Sequence, residues 1–107
     1  MKGCIQVSTT TQIRSDAEAI SYEVVKRRLA ACAQVMGPIV STYWWKDRLE
    51  QEEEWLCLMK TTEENYSRLE KAIQEIHPYE EPEIVAVPIV AGSRGYLNWL
   101  EQEVGDK

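Results

Sequence analysis

The sequence predicts an α+β domain of the split β-α-β type, an antiparallel sheet with its helices on one face. Three observations lead there. Runs of β-branched and aromatic residues alternate with stretches whose apolar residues recur at helical spacing, in the order β-α-β-β-α-β plus a last helix. The two central runs are joined by a short polar turn and so form a hairpin. No linker, repeat or low-complexity segment interrupts the 107 residues, a length that suits one domain over 1–107.

Cys4 to Ser8 is short and apolar and reads as the first strand, with Thr9, Thr10 and Thr11 as its exit loop. Ser15 or Asp16 can cap the helix that follows, and Glu18 sits where the helix dipole favours a carboxylate. Ala17, Ile20, Val24 and Ala31 keep helical spacing, with Val25 and Leu29 widening the stripe, so this helix is expected to reach about Ala31. Ala33 to Lys46 is a long second strand. Pro38 lies inside it and cannot donate to a ladder, which demands a bulge or an edge position. A turn near Asp47-Arg48 leads to a third strand from Gln51 to Thr61. The second helix spans Glu63 to Ile76 and buries Leu69, Ala72, Ile73 and Ile76; His77-Pro78 ends it, because a residue before proline leaves the helical region. Ile84 to Val90 is the fourth strand. After Gly92, Ser93 to Val104 forms the last helix, burying Leu97, Leu100 and Val104.

Composition narrows the function. A formal net charge of −6 repels phosphate backbones, which argues against a nucleic-acid partner. Cys4, Cys32 and Cys57 form no C-x-x-C pair, so a zinc ribbon or a thioredoxin-type motif is excluded. Their apolar surroundings suit reduced thiols, and no signal-like or membrane-spanning run is visible, so the expected compartment is the cytoplasm, with no membrane association. No glycine-rich phosphate loop or H-E-x-x-H is present, and Gly92-Ser93-Arg94-Gly95 lacks the spacing of a nucleophile elbow. With one histidine available for any triad, no catalytic residue is assigned and no enzymatic activity is expected.

Two features point beyond the single chain. Both faces of the sheet are apolar: Ile39, Tyr43 and Trp45 oppose Val40, Thr42 and Trp44, and Ile84 to Val90 carries no charge. A lone antiparallel sheet with helices on one side shows polar residues on the other. The central strands are also long. Some 13 residues span about 43 Å, whereas a domain of this size has a diameter of about 34 Å, treated as a sphere. The hairpin should overhang its own body, and an exposed aromatic edge calls for a partner. An oligomer closed by strand pairing follows; the competing reading is a long hairpin shielded by Lys46, Arg48 and Glu52-Glu53-Glu54.

Specific stretches then match a known family. They are Leu29-Ala30-Ala31-Cys32, Ser41-Thr42-Tyr43-Trp44-Trp45 with Leu49-Glu50, Leu58-Met59-Lys60-Thr61, His77-Pro78-Tyr79-Glu80 with Pro82-Glu83-Ile84, Pro88-Ile89, and Gly92 with Tyr96-Leu97-Asn98-Trp99. In this order and spacing the chain resembles the CutA divalent-cation tolerance proteins over nearly its whole length. The resemblance implies a ferredoxin-like fold, a homotrimer similar in architecture to PII-type signalling proteins, and a role in tolerance of copper or other divalent metal ions. It implies no established enzymatic activity.

Three residues are expected to ligate metal. His77 offers an imidazole at a helix end beside Pro78, where partial exposure is expected, and the resemblance associates a histidine of this motif with metal binding. Its other reading is a helix-terminal side chain bonded to a free carbonyl. Cys32 suits soft ions such as Cu(I), and the family pattern has a cysteine there too, although a small core residue explains it as well. Glu83, with Glu80 and Glu81, can complete a mixed oxygen and nitrogen site or can be part of a solvated acidic loop. Some relatives carry a further cysteine at the end of the first strand, where this chain has Ser8. Tyr43, Trp44 and Trp45 read as trimer packing rather than as a ligand cage. The alternative function is a PII-like trimeric regulatory or scaffold protein holding a small ligand or a protein partner in intersubunit clefts, with Lys60 and Arg94 as candidate lining.

Overall fold

The computed structural model describes residues 3–105; residues 1–2 and 106–107, the ends of the expected 1–107 domain, lie outside the described residues. The elements are β1 (Cys4–Thr11), α1 (Arg14–Lys26), β2 (Cys32–Trp45), β3 (Arg48–Thr62), a 3₁₀ turn (Glu63–Asn65), α2 (Tyr66–Ile76), β4 (Val85–Pro88) and α3 (Arg94–Glu103). The strands form an antiparallel sheet in the order β2-β3-β1-β4, as the split β-α-β reading requires. No helix among the described residues is long and apolar enough to cross a membrane.

Side chains alternate across each strand and sort the sheet into two faces. Ile5, Val7, Cys57 and Met59 pack against Ile20 and Val24 of α1 and Leu69 and Ile73 of α2 in the main apolar core. Cys4 is adjacent to Ile5 and so points the other way. It joins Ala31, Leu100 and Val104 in a second cluster, which places α3 on the opposite face from α1 and α2. The terminal helix thus covers one end of the face that the sequence left bare. Farther along that face Val85 and Val87 stay 50% and 52% exposed.

Several boundaries differ from expectation. The three threonines continue β1 rather than leaving it, because β3 is long enough to pair them up to Thr11 opposite Trp55 and β-branched residues fit a pleated, buried surface. Helix α1 has Ile13 at its N-cap, without a side-chain cap from Ser15 or Asp16. It stops at Lys26, not Ala31. Arg28 takes φ 63, and the Leu29 and Arg28 amides bond back to the carbonyls of Val24 and Val25, the double closure of a Schellman motif. Leu29 and Ala30 are buried from the turn and connection that follow the helix, so their apparent helical spacing had a different cause. The Arg28 carbonyl accepts from the Gly105 amide at 2.9 Å and its guanidinium pairs with Glu103 at 2.6 Å.

The hairpin turns on Lys46 and Asp47, both at positive φ (51 and 64), one residue before the expected turn, with Trp45 opposite Arg48. Pro38 sits at the register shift between Met36 and Ile39, on a strand that is also at the sheet edge. Gly37 is needed there, since a Cβ would lie 2.8 Å from the Trp55 ring. Because β1 ends opposite Trp55, Arg48 to Glu54 of β3 pair with β2 alone. The hairpin overhangs, and the molecule measures 44 × 25 × 21 Å. Helix α2 begins at Tyr66, after the 3₁₀ turn, and β4 is limited to Val85–Pro88 rather than Ile84 to Val90.

Candidate functional site

The overhang leaves a free backbone edge, and two local rules decide what lines it. The first is strand parity. Glu50, Glu52 and Glu54 occupy alternate positions and therefore project on one face of β3, the face that carries Leu56 and Leu58 farther along. The second is proline. Pro78 and Pro82 keep residues 78–84 out of helix and strand, so the connection from α2 to β4 runs past the end of β1 as a loop. Between hairpin and loop lies a groove of about 780 Å³. Glu50, Glu52 and Glu54 line it from β3, and Glu80, Glu81 and Glu83 from the loop. Tyr43, Trp45 and Tyr79 supply aromatic surface.

Within this lining Glu54 is 5% exposed. Its Oε2 accepts the Tyr79 hydroxyl at 2.6 Å, and no cation among the described residues pairs with it. The Tyr43 hydroxyl donates to Glu52 at 3.2 Å. Burial first, and then the hydrogen bond and charge of Glu54, hold the Tyr79 phenol far above its ordinary range. Burial and the charge of Glu52 push Tyr43 the same way. Both tyrosines therefore stay protonated donors at neutral pH. At the rim, the Lys46 ammonium lies 3.4 Å from Glu80 and 5.5 Å from the centre of the Trp45 ring.

His77 stands behind the groove and is buried, at 8% exposed, contrary to the expected partial exposure. The turn imposed by Pro78 tucks the ring against the end of β1. Nδ1 accepts the Tyr79 backbone N–H at 3.0 Å, so the ring proton is on Nε2, which donates to the Thr10 carbonyl at 2.8 Å. Its helix-terminal position thus serves a strand carbonyl, and both nitrogens are engaged. Burial lowers the imidazole pKa, opposed by the Thr10 carbonyl and by the charges of Asp16 and Glu54.

Glu83 is exposed and lines the groove a few residues along the loop from His77. Cys32 is elsewhere. It is half-buried at the start of β2, with Sγ 3.4 Å from the Tyr96 hydroxyl; that contact, then burial, push the Tyr96 phenol up to about 12. Cys32 is in register with Lys60, and Lys60 with Gln6, four residues from the Thr10 that His77 touches. Two strands across and four residues along amount to roughly 16 Å. Within one chain His77 and Cys32 are therefore apart, and among the described residues no three of His, Cys, Asp and Glu are gathered closely enough to hold a metal ion. Ser8 is half-buried within β1, between Leu58 and Val85. Lys60 donates to Gln34, Arg94 is exposed at the start of α3, and neither lines the groove.

Glu54, Tyr79 and Lys46 were not singled out as site residues by sequence. A signal existed for Glu54: counting alternate positions back from Leu58 puts it on the apolar face of its strand rather than on a solvated one.

Comparison with known proteins agrees with the resemblance. Residues 5–103 match the family model of the CutA1 divalent ion tolerance protein. A curated Thermus thermophilus relative, the divalent-cation tolerance protein CutA, is 39% identical over 89 residues, covering 83% of this chain and 86% of its own. A solved structure of the divalent cation tolerance protein from T. thermophilus superposes with a TM-score of 0.92 at 36% identity, covering 95% of this chain and 99% of that one. An Archaeoglobus fulgidus structure described as the periplasmic divalent cation tolerance protein CutA gives 0.91 at 28% identity, covering 95% and 99%.

Proposed function

Because this chain belongs to the CutA1 divalent ion tolerance family, we propose that it binds divalent cations, copper among them, as a cytoplasmic homotrimer, and so contributes to tolerance of those ions. The observation that carries this reading is the groove lined by Glu50, Glu52, Glu54, Glu80, Glu81 and Glu83, a concentration of negative charge that attracts cations. Glu83 is the accessible oxygen ligand at its rim. His77 ligates after its Nδ1 releases the Tyr79 amide. Cys32, distant within one chain, supplies a soft ligand at a site shared between subunits. Trimer formation is supported by apolar surface that a lone chain leaves wet: Val40 is 73% exposed, Trp44 71% and Leu49 63%.

Calorimetric titration with Cu²⁺ and Zn²⁺ tests the assignment, with His77→Ala, Cys32→Ala and Glu83→Gln beside the unaltered protein. Saturable binding weakened by these substitutions is expected; binding untouched by all three overturns the site. Light scattering tests the assembly, which should be three times the 12.4 kDa chain.

The size of the groove favours a second reading, a PII-like regulatory module with a small ligand. About 780 Å³ with aromatic walls is within the ordinary range for organic ligands and far larger than an ion needs.

A further inference from the structure

We propose that the groove binds a linear aliphatic polyamine, a chain of ammonium groups separated by methylenes. This deepens the small-ligand reading and does not depend on metal binding.

Besides attracting single ions, the carboxylates have a spacing that suits such a ligand. A divalent metal takes about six oxygens at 2.0–2.6 Å, and among the described residues no three ligating side chains converge that far. Glu50, Glu52 and Glu54 instead form a comb. Alternate residues on a strand repeat every 6.7 Å or so, close to the distance between ammonium nitrogens joined by a four-methylene spacer. Glu80, Glu81 and Glu83 line the same groove from the loop.

The buried end of the comb lacks a cation. Glu54 is 5% exposed, and its only hydrogen bond among the described residues is the one Tyr79 gives to Oε2. Its Oε1 is not sealed away, since the one fully buried side-chain polar atom without a partner among the described residues is Thr9 Oγ1. A carboxylate held in low-dielectric surroundings with one neutral donor is under-compensated, and an ammonium nitrogen arriving along the groove corrects that.

At the other end the chain shows how an ammonium is received. Lys46 Nζ rests between the Trp45 ring at 5.5 Å and Glu80 at 3.4 Å, a cation held by a π face and a carboxylate together. Tyr43 and Pro82 offer apolar surface for methylenes between the charged ends. Hydrated Mg²⁺ gains nothing from aromatic walls, whereas an alkylammonium chain uses both kinds of surface.

Calorimetric titration of the intact protein with spermidine tests this, with MgCl₂ at matched ionic strength as the screening control. Spermidine should bind saturably and more tightly than Mg²⁺. Glu54→Gln, which keeps an acceptor for Tyr79, should weaken it about tenfold or more, the value of a hydrogen bond to a charged group. Trp45→Leu should weaken it about threefold, and Glu18→Gln, exposed on α1 and outside the groove lining, should leave it unchanged. Circular dichroism on each variant separates lost binding from lost fold. Spermidine no tighter than Mg²⁺, indifference to both groove substitutions in folded protein, or a crystal structure with a neighbouring copy filling the groove overturns the proposal. Cu²⁺ or Zn²⁺ binding that survives such a result leaves the metal reading intact, so the two fail separately.

Discussion

The imidazole of His77 donates through Nε2 to the carbonyl oxygen of Thr10 at 2.8 Å, tying the end of α2 to the end of β1. With Nδ1 accepting the Tyr79 amide, the folded protein holds a neutral ring in one tautomer. Protonation removes that acceptor and adds charge in a buried position. The folded-state pKa is accordingly lowered, by burial above all, from its ordinary value of 6.5. The unfolded chain then binds the proton more readily than the folded one. Stability from this group is complete above pH 6.5 or so and is lost as pH falls through the lowered folded value. Urea unfolding at pH 7.5 and 5.5 should show the loss in the unaltered protein and a smaller one in His77→Gln; equal losses refute it.

Tyr79→Phe removes the only donor to the buried Glu54 carboxylate among the described residues. A buried acceptor left unsatisfied costs about 1–3 kcal/mol. In a double-mutant cycle with Glu54→Gln, measured by denaturant unfolding, the two residues should couple. Additive effects would mean that the 2.6 Å contact contributes little in solution.

The three thiols should react in a fixed order. Burial pushes Cys57 up to about 11, and burial with the charge of Glu101 raises Cys4. Cys32 is the half-buried one. Iodoacetamide labelling followed by peptide mapping should modify Cys32 first in native protein and all three in denaturant. Early labelling of Cys57 contradicts the core packing described above.

Lys46 and Asp47 make a two-residue turn at positive φ without a glycine. The left-handed region costs a side-chain-bearing residue roughly 1–2 kcal/mol, so Asp47→Gly should raise stability by up to about 1 kcal/mol after glycine's greater entropy loss. Asp47→Val should lower it. The urea midpoints of the two variants should move in opposite directions.

The order of elements was legible because each rests on local periodicity: Leu69, Ala72 and Ile73 are buried where helical spacing puts them, and Pro38 marks a bulge as its missing N–H demands. Boundaries were less so. The end of α1 depends on Arg28 entering a conformation usually left to glycine, held by Gly105 and Glu103 from the far end of the chain. The position of α3 depends on which face of Cys4 it meets, and no local pattern says that. At the site, Glu83 was legible as an exposed acid, while the burial of His77 was not, since its acceptor Thr10 is 67 residues away. Glu54 read as part of a solvated acidic run because its partner, Tyr79, is 25 residues distant.

The hairpin pairing, with Trp45 opposite Arg48, makes the groove's electrostatic character a matter of counting. Odd-numbered neighbours on β3 are Leu49, Gln51 and Glu53, so a one-residue slip of register between the turn and Glu54 would rotate all three acids out and bring a leucine, an amide and a single acid in. Related chains that differ in length at this tip should therefore diverge in what they attract, even where every glutamate is kept.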